Sequence, residues 1–143
     1  MKALILNSGL GSRMGVLTET RPKCMVKISD EETIIGRQLR QLFEAGLTEV
    51  IITVGAHQEV LRDYCRSLED AKVQISFVEN PRFQETNYIY SIYLAREMLD
   101  DDLLILHGDL VLETLDAALQ IALHHRLVLR QIRHRLINNI VHL

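Results

Sequence analysis

Along its first four-fifths the chain alternates short aliphatic runs with longer stretches in which apolar residues recur every three or four positions. Ala3–Leu6, Val50–Val54, Val73–Val78 and Leu103–Leu106 are runs of four to six residues, each closed by polar or turn residues, and they are predicted as strands. Between the first two, Ile34, Ile35, Leu39, Leu42 and Phe43 share one helical face and stop before Gly46, a residue suited to the position just past a helix end. Val60, Leu61, Tyr64, Cys65 and Leu68 mark a second helix, and Ile89, Ile92, Tyr93, Leu94 and Met98 a third. The resulting order, β-loop-α-β-α-β-α-β, is that of a parallel sheet with crossover helices. Beyond it, Leu115, Ala118, Leu119 and Ala122, then Leu129, Ile132, Leu136 and Ile140, keep helical spacing as one or two further helices.

Composition fits that pattern. With 143 residues, 48% hydrophobic and 24% charged, the chain has the make-up of one ordinary soluble domain. Cys24 and Cys65 make no disulfide framework, and no aliphatic run approaches the ~20 residues of a membrane span. Ala3–Leu6 is too short for the apolar core of a signal peptide, so the expectation is a reducing cytoplasm. A net charge of −3 argues against nucleic acid as a partner. The charge is uneven: residues 1–113 hold 12 Lys/Arg against 18 Asp/Glu, whereas residues 114–143 hold four Arg against Asp116 alone. Two regions are therefore expected, an α/β domain over 1–113 and a basic helical tail over 114–143. The tail suits packing or homo-oligomerisation. Its His124, His125, His134 and His142 do not reproduce a usual zinc spacing.

Open sheets of this kind bind ligands beyond the carboxyl ends of their strands. Asn7 onward, Gly55–His57, Asn80 and His107–Asp109 should therefore share one rim. The loop Asn7-Ser8-Gly9-Leu10-Gly11-Ser12-Arg13-Met14-Gly15 follows the first strand, and its glycines allow backbone N–H groups to approach a phosphate. It is not a Walker A loop, because Val16-Leu17 follows Gly15 where Lys and Ser/Thr would be needed. A dinucleotide fingerprint fits poorly, since the third glycine is one position late and Thr18, Thr20, Arg21 and Pro22 stand where a helix should open. A plain glycine-rich turn remains open for the loop alone. Arg13 within it and Arg21-Pro22-Lys23 just after it add cations suited to one anion site.

Gly9-Leu10-Gly11-Ser12-Arg13-Met14 with Pro22-Lys23 resembles the signature of the nucleotidyltransferases that join an NTP to a phosphorylated small molecule. Asn7-Ser8, and Asn87-Tyr88-Ile89-Tyr90-Ser91-Ile92-Tyr93-Leu94-Ala95, make the chain most similar to the phosphocholine cytidylyltransferase branch. The resemblance implies a three-layer, Rossmann-like, mostly parallel sheet of the nucleotide-diphospho-sugar transferase type, truncated and followed by the helical tail. It further implies a Mg²⁺-dependent enzyme that takes CTP, or another NTP, and a phosphocholine-like or sugar 1-phosphate acceptor. Ser8, Gly9, Leu10 and Gly11 would contact the nucleotide, Arg13 the leaving phosphates and Lys23 the α-phosphate or the incoming phosphate. Asn87 and Ser91 would line the base and ribose, and Asp109 would hold Mg²⁺. By contrast, Asp100-Asp101-Asp102 precedes the last strand and reads as a helix-to-strand connector. Tyr88, Tyr90 and Tyr93 invite an aromatic cage for a quaternary ammonium, though their spacing also suits ordinary packing. Enzymes of this kind carry an acceptor pocket and a second metal aspartate in a later half that this sequence does not show. The alternatives are thus a short form completed by oligomerisation and a non-catalytic nucleotide-binding remnant.

Overall fold

A computed structural model describes residues 1–9, 11–68 and 72–115, with Ser12 and Arg13 described in backbone only. From residue 116 on, the expected helical tail lies outside the described residues. Four strands form one sheet: β1 Lys2–Leu6, β2 Glu49–Val54, β3 Gln74–Glu79 and β4 Leu103–His107. Three helices connect them: α1 Ile34–Glu44, α2 Gln58–Arg66 and α3 Tyr88–Ala95. Every strand pair is parallel, in the spatial order β3-β2-β1-β4. The expected three-layer sheet is present.

Strand pleating explains the layers, because successive residues face opposite sides. Ala3, Ile5, Val50, Ile52 and Val54 bury against Ile35, Leu39 and Leu42 of α1 and Leu61 and Cys65 of α2. Leu4, Leu6 and Ile51 bury on the other side against Ile92 and Ala95 of α3. With both faces covered, the strands can be apolar throughout, as the runs in the sequence are. Each fully buried Leu or Ile side chain contributes about 1.5–3 kcal/mol relative to exposure. Val60 and Leu68, expected on the apolar face of α2, are instead exposed; Leu61 and Cys65 are buried, with the partly buried Tyr64 packed beside them.

The chain starts at β1, steps to β2 and β3 in one direction, then crosses to the other side of β1 for β4. With right-handed crossovers that reversal places α1 and α2 on one face and α3 on the other. It also leaves a crevice between the carboxyl ends of β1 and β4, the topological switch point at which such sheets bind ligands. At the opposite end, Asp100 pairs with Lys2 at 2.8 Å, and the Asp102 carbonyl accepts from the Lys2 N–H. The aspartate run is a connector, as expected. Among the described residues no helix is long and apolar enough to cross a membrane.

Candidate active site

The floor of the crevice is built where three strands end. Asn7 N–H donates to the buried Thr53 hydroxyl of β2 at 3.0 Å, and Gly108 N–H donates to the Leu6 carbonyl at 2.9 Å. Gly55 lies so close beneath this turn that a Cβ there would meet the Ser8 carbonyl oxygen and the Phe83 ring. Gly108 is also closely approached, with the side-chain Oδ1 of Asn7 2.6 Å from where its Cβ would stand. A buried hydroxyl chain supports the turn from the α3 side: Ser8 Oγ lies 2.6 Å from Ser91 Oγ, and Asn80 Nδ2 donates to Ser91 Oγ and to Thr86 Oγ1, each at 3.0 Å. Ser91 is fully buried within that chain. Its hydroxyl is spent on Ser8 and Asn80, so the side chain supports the loop and does not reach the crevice as expected.

Beyond Gly9 the backbone forms a 3-10 segment, Ser12–Thr18, entered through Gly11 at φ 66° and kinked at Gly15 at φ 53°. Both values lie in the left-handed region that glycine adopts at little cost. The Thr18 hydroxyl lies 3.2 Å from the Gly11 carbonyl and 3.1 Å from that of Gly15, clasping the segment. No α-helix opens at this loop, in keeping with the poor dinucleotide fingerprint. Leu10 and the Arg13 side chain, both named as candidates, lie outside the described residues. Pro22 then leads into a short 3-10 turn, Lys23–Met25. Lys23 is thereby brought beside Gly11, where an added Cβ would come within 3.3 Å of the Lys23 Cβ.

Lys23 Nζ meets Asp109 Oδ2 at 2.6 Å across the crevice. Two candidates 86 positions apart are thus in direct contact. Lys23 also lines a cleft of about 240 Å³, together with Ser8, Gly9, Asn87, Tyr88 and His107 among others, and Asp109 adjoins that cleft through Lys23. Asn87 caps α3, its Oδ1 accepting from Ile89 N–H at 2.9 Å. Tyr88 is half exposed and meets the His107 ring edge-on at 5.6 Å. No cage is formed by the three tyrosines. Tyr90 and Tyr93 stack on each other, and Arg82 and Arg96 lie over their respective rings.

The Lys23 ammonium, through its hydrogen bond, holds the Asp109 carboxyl below the usual aspartate range, more than offsetting partial desolvation. Because the folded value is the lower one, the pair favours the folded state above the unfolded-chain aspartate pKa. That contribution is lost as pH falls through the lowered value. In a carbon-detected NMR titration, Asp109 is expected to titrate below the ordinary aspartate range, and Lys23→Met to raise its midpoint; an unchanged midpoint would refute the pairing. Cys24 is buried and its thiol is pushed far up by desolvation, which removes it as a nucleophile. Among the described residues no three His, Cys, Asp or Glu side chains converge on one point. A hard, ionised and half-exposed carboxylate at the cleft nevertheless fits Mg²⁺, which binds through one or two carboxylates, waters and ligand phosphates.

A profile for the nucleotidyl transferase family matches residues 2–130 of the chain. This chain belongs to the nucleotidyl transferase family. The match runs past residue 113, where the composition changes. Among nucleotidyl transferases it is 37% identical over 113 residues to the CMP-5′-(3-aminopropyl)phosphonate synthase of Streptomyces rubellomurinus, covering 79% of this chain and 18% of that one. It is 35% identical over 105 residues to the choline-phosphate cytidylyltransferase of Streptococcus pneumoniae, covering 73% and 43%. The structure of the CTP:phosphocholine cytidylyltransferase from that organism superposes with a TM-score of 0.64 at 34% identity, over 76% of this chain and 44% of that one. The chain spans less than half the length of these relatives.

For a nucleotidyl transferase the motif residues were the readable part of the site; their supports were not. Gln38 and Gln41 of α1 are almost wholly buried and donate to main-chain carbonyls at the end of β4 and in the segment after it. Both stand within the apolar spacing of Ile35, Leu39 and Leu42, and a polar residue inside a core stripe was the signal available. Asn80 and Thr18, which tie the loops together, carried no signal beyond their place next to turn residues.

Proposed function

We propose that this chain forms the nucleotide-binding part of a cytidylyltransferase that moves CMP from CTP to a small phosphate or phosphonate bearing an amino or trimethylammonium group, releasing pyrophosphate. The observation that carries the reading is the meeting of Asp109 with Lys23, which lines the cleft together with Gly9 and lies beside Gly11. The base and acceptor are supported by the relatives, named as users of CTP with phosphocholine or phosphoglutamine, or as makers of a CMP-aminoalkylphosphonate. Two buried free thiols accord with a cytoplasmic setting.

In the proposed reaction an acceptor oxygen attacks the α-phosphorus in line. The bond from that phosphorus to the bridging β-oxygen breaks, and pyrophosphate leaves with the electron pair. Backbone N–H groups of Gly9 and Gly11, with Leu10 between them, cradle the phosphates, and the Arg13 guanidinium grips the leaving pyrophosphate bidentately. Lys23 turns from Asp109 to the α-phosphate and stabilises the charge that crowds its oxygens as the bond order changes. Asp109 would hold Mg²⁺ with phosphate oxygens, and the ion bound there supplies charge neutralisation and alignment of the leaving group. Asn87 borders the base and ribose side of the cleft.

The test is a pyrophosphate-release screen of the four NTPs against phosphocholine, 2-aminoethylphosphonate and common sugar 1-phosphates, with calorimetric binding run alongside. Release with CTP and an aminoalkyl acceptor, abolished by Lys23→Ala, supports the reading. CTP binding without turnover for any acceptor would replace it with a nucleotide-binding remnant, and turnover indifferent to Lys23→Ala would overturn the site.

A further inference from the structure

Gln38 sits on the crossover helix between β1 and β2, facing the core at 2% exposure, and its side-chain nitrogen is committed twice. Nε2 donates to the His107 carbonyl at 2.8 Å and to the Leu110 carbonyl at 2.7 Å. These two residues are the ends of the tight turn that follows β4, closed by Leu110 N–H donating to the same His107 carbonyl at 3.0 Å. Asp109 is the third residue of that turn. A primary amide is the side chain suited to this task, because its two N–H bonds diverge and can span both ends of one turn while the hydrocarbon stem packs in the core. The arrangement leaves Gln38 Oε1 buried without a partner, so the amide sacrifices its own acceptor to hold the turn.

We propose that Gln38 is a positioning residue for the metal-side carboxylate: by locking both ends of the His107–Leu110 turn it fixes Asp109 against Lys23 and toward the phosphates. The inference rests on the reading of Asp109 as the Mg²⁺-binding residue. The molecule supplies its own control. Gln41, one turn further along α1, makes the same pair of bonds to the Leu112 and Glu113 carbonyls, at 3.2 and 3.1 Å, and leaves its own Oε1 equally unpartnered. It grips the chain beyond the carboxylate. A purely structural role predicts the same consequences for losing either amide; a positioning role predicts different ones.

Gln38→Met and Gln41→Met each keep the stem and remove two buried bonds. Mn²⁺ binding is read by electron paramagnetic resonance in the presence of CTP, and stability by urea unfolding. Comparable losses of stability are expected, with Mn²⁺ affinity falling about tenfold in Gln38→Met and staying within twofold of wild type in Gln41→Met. Equal Mn²⁺ affinities in the two variants would overturn the proposal. Should Gln38→Met not fold, Gln38→Asn, whose amide falls one methylene short of bridging both carbonyls, carries the same expectation. If wild type itself binds CTP but no Mn²⁺, the assignment of Asp109 fails and this inference with it. If the wild-type site binds Mn²⁺ and only the contrast between variants is missing, Gln38 alone is refuted.

Discussion

Asp109→Asn is expected to change CTP binding in opposite directions with and without a divalent cation. With Mg²⁺ present, the loss of the carboxylate removes the proposed anchor for the ion, and turnover should fall roughly 10²–10³-fold, the range seen when one preorganised charge-stabilising group is deleted. With the cation chelated, the same substitution should tighten CTP about fivefold. Two causes act together: Lys23 Nζ is no longer engaged by Asp109 Oδ2 at 2.6 Å, and one negative charge no longer faces the triphosphate. A unit charge at ~4 Å in water-like surroundings contributes about 1 kcal/mol, which sets the size of the effect for this half-exposed pair. Calorimetry in EDTA and in Mg²⁺ reads both arms. Lys23→Ala should weaken CTP in both media, so equal weakening by Asp109→Asn in EDTA would show that the carboxylate does not compete for the lysine.

Gly55→Ala should be the most damaging single methyl that can be added to the site. The new Cβ would press on the Ser8 backbone carbonyl and on Phe83, and a backbone carbonyl cannot rotate away as a flexible side chain can. Relief requires shifting the turn that carries Gly9 or expelling Phe83 from the cleft wall. Overpacking of this kind costs typically about 1–3 kcal/mol, and here part of the displacement falls on the loop proposed to cradle the phosphates. Urea unfolding should show the loss, and CTP affinity should fall with it. Gly46→Ala offers a comparison, since Gly46 has open space around its Cβ position and only its left-handed φ of 79° to strain. If Gly55→Ala proved no more harmful to CTP binding than Gly46→Ala, the close approach beneath Ser8 would be irrelevant to the site.

The elements were legible because parallel sheets covered on both faces write themselves as unbroken aliphatic runs, and all four strands lie within a residue or two of those runs. The rim beyond the carboxyl ends of the strands was legible too, whereas the reversal that puts β4 beside β1 is seen only in the structure. Lys23 was readable through the Pro22-Lys23 part of the family resemblance, and Asp109 through its rim position after the last strand together with the role the resemblance implies for it. Ser91 was not, because sequence position says which helix a hydroxyl lies on but not that Ser8 and Asn80 will take it out of reach of a ligand. The tyrosines misled for a related reason: their spacing allowed a cage, while Arg82 and Arg96, on neighbouring turns, had prior claim to the two rings. Gln38 was hidden most deeply, since its partners are carbonyls about seventy residues away and main-chain atoms leave no mark in a sequence.

The glycine floor has a consequence for how the site can be altered. Gly55 under Ser8 and Gly108 against Asn7 leave no unfilled volume, so a change of ligand preference cannot be accommodated by enlarging residues there. Freedom lies in the wall that faces the floor, where Phe83, Asn87 and Tyr88 reach the cleft from the segment leading into α3. A library randomised at those three positions should yield folded variants with altered base or acceptor preference, whereas one aimed at the floor should return mostly unfolded chains. The site thus divides into an invariant footing and an adjustable face, and divergence in specificity is channelled to one side of a single crevice.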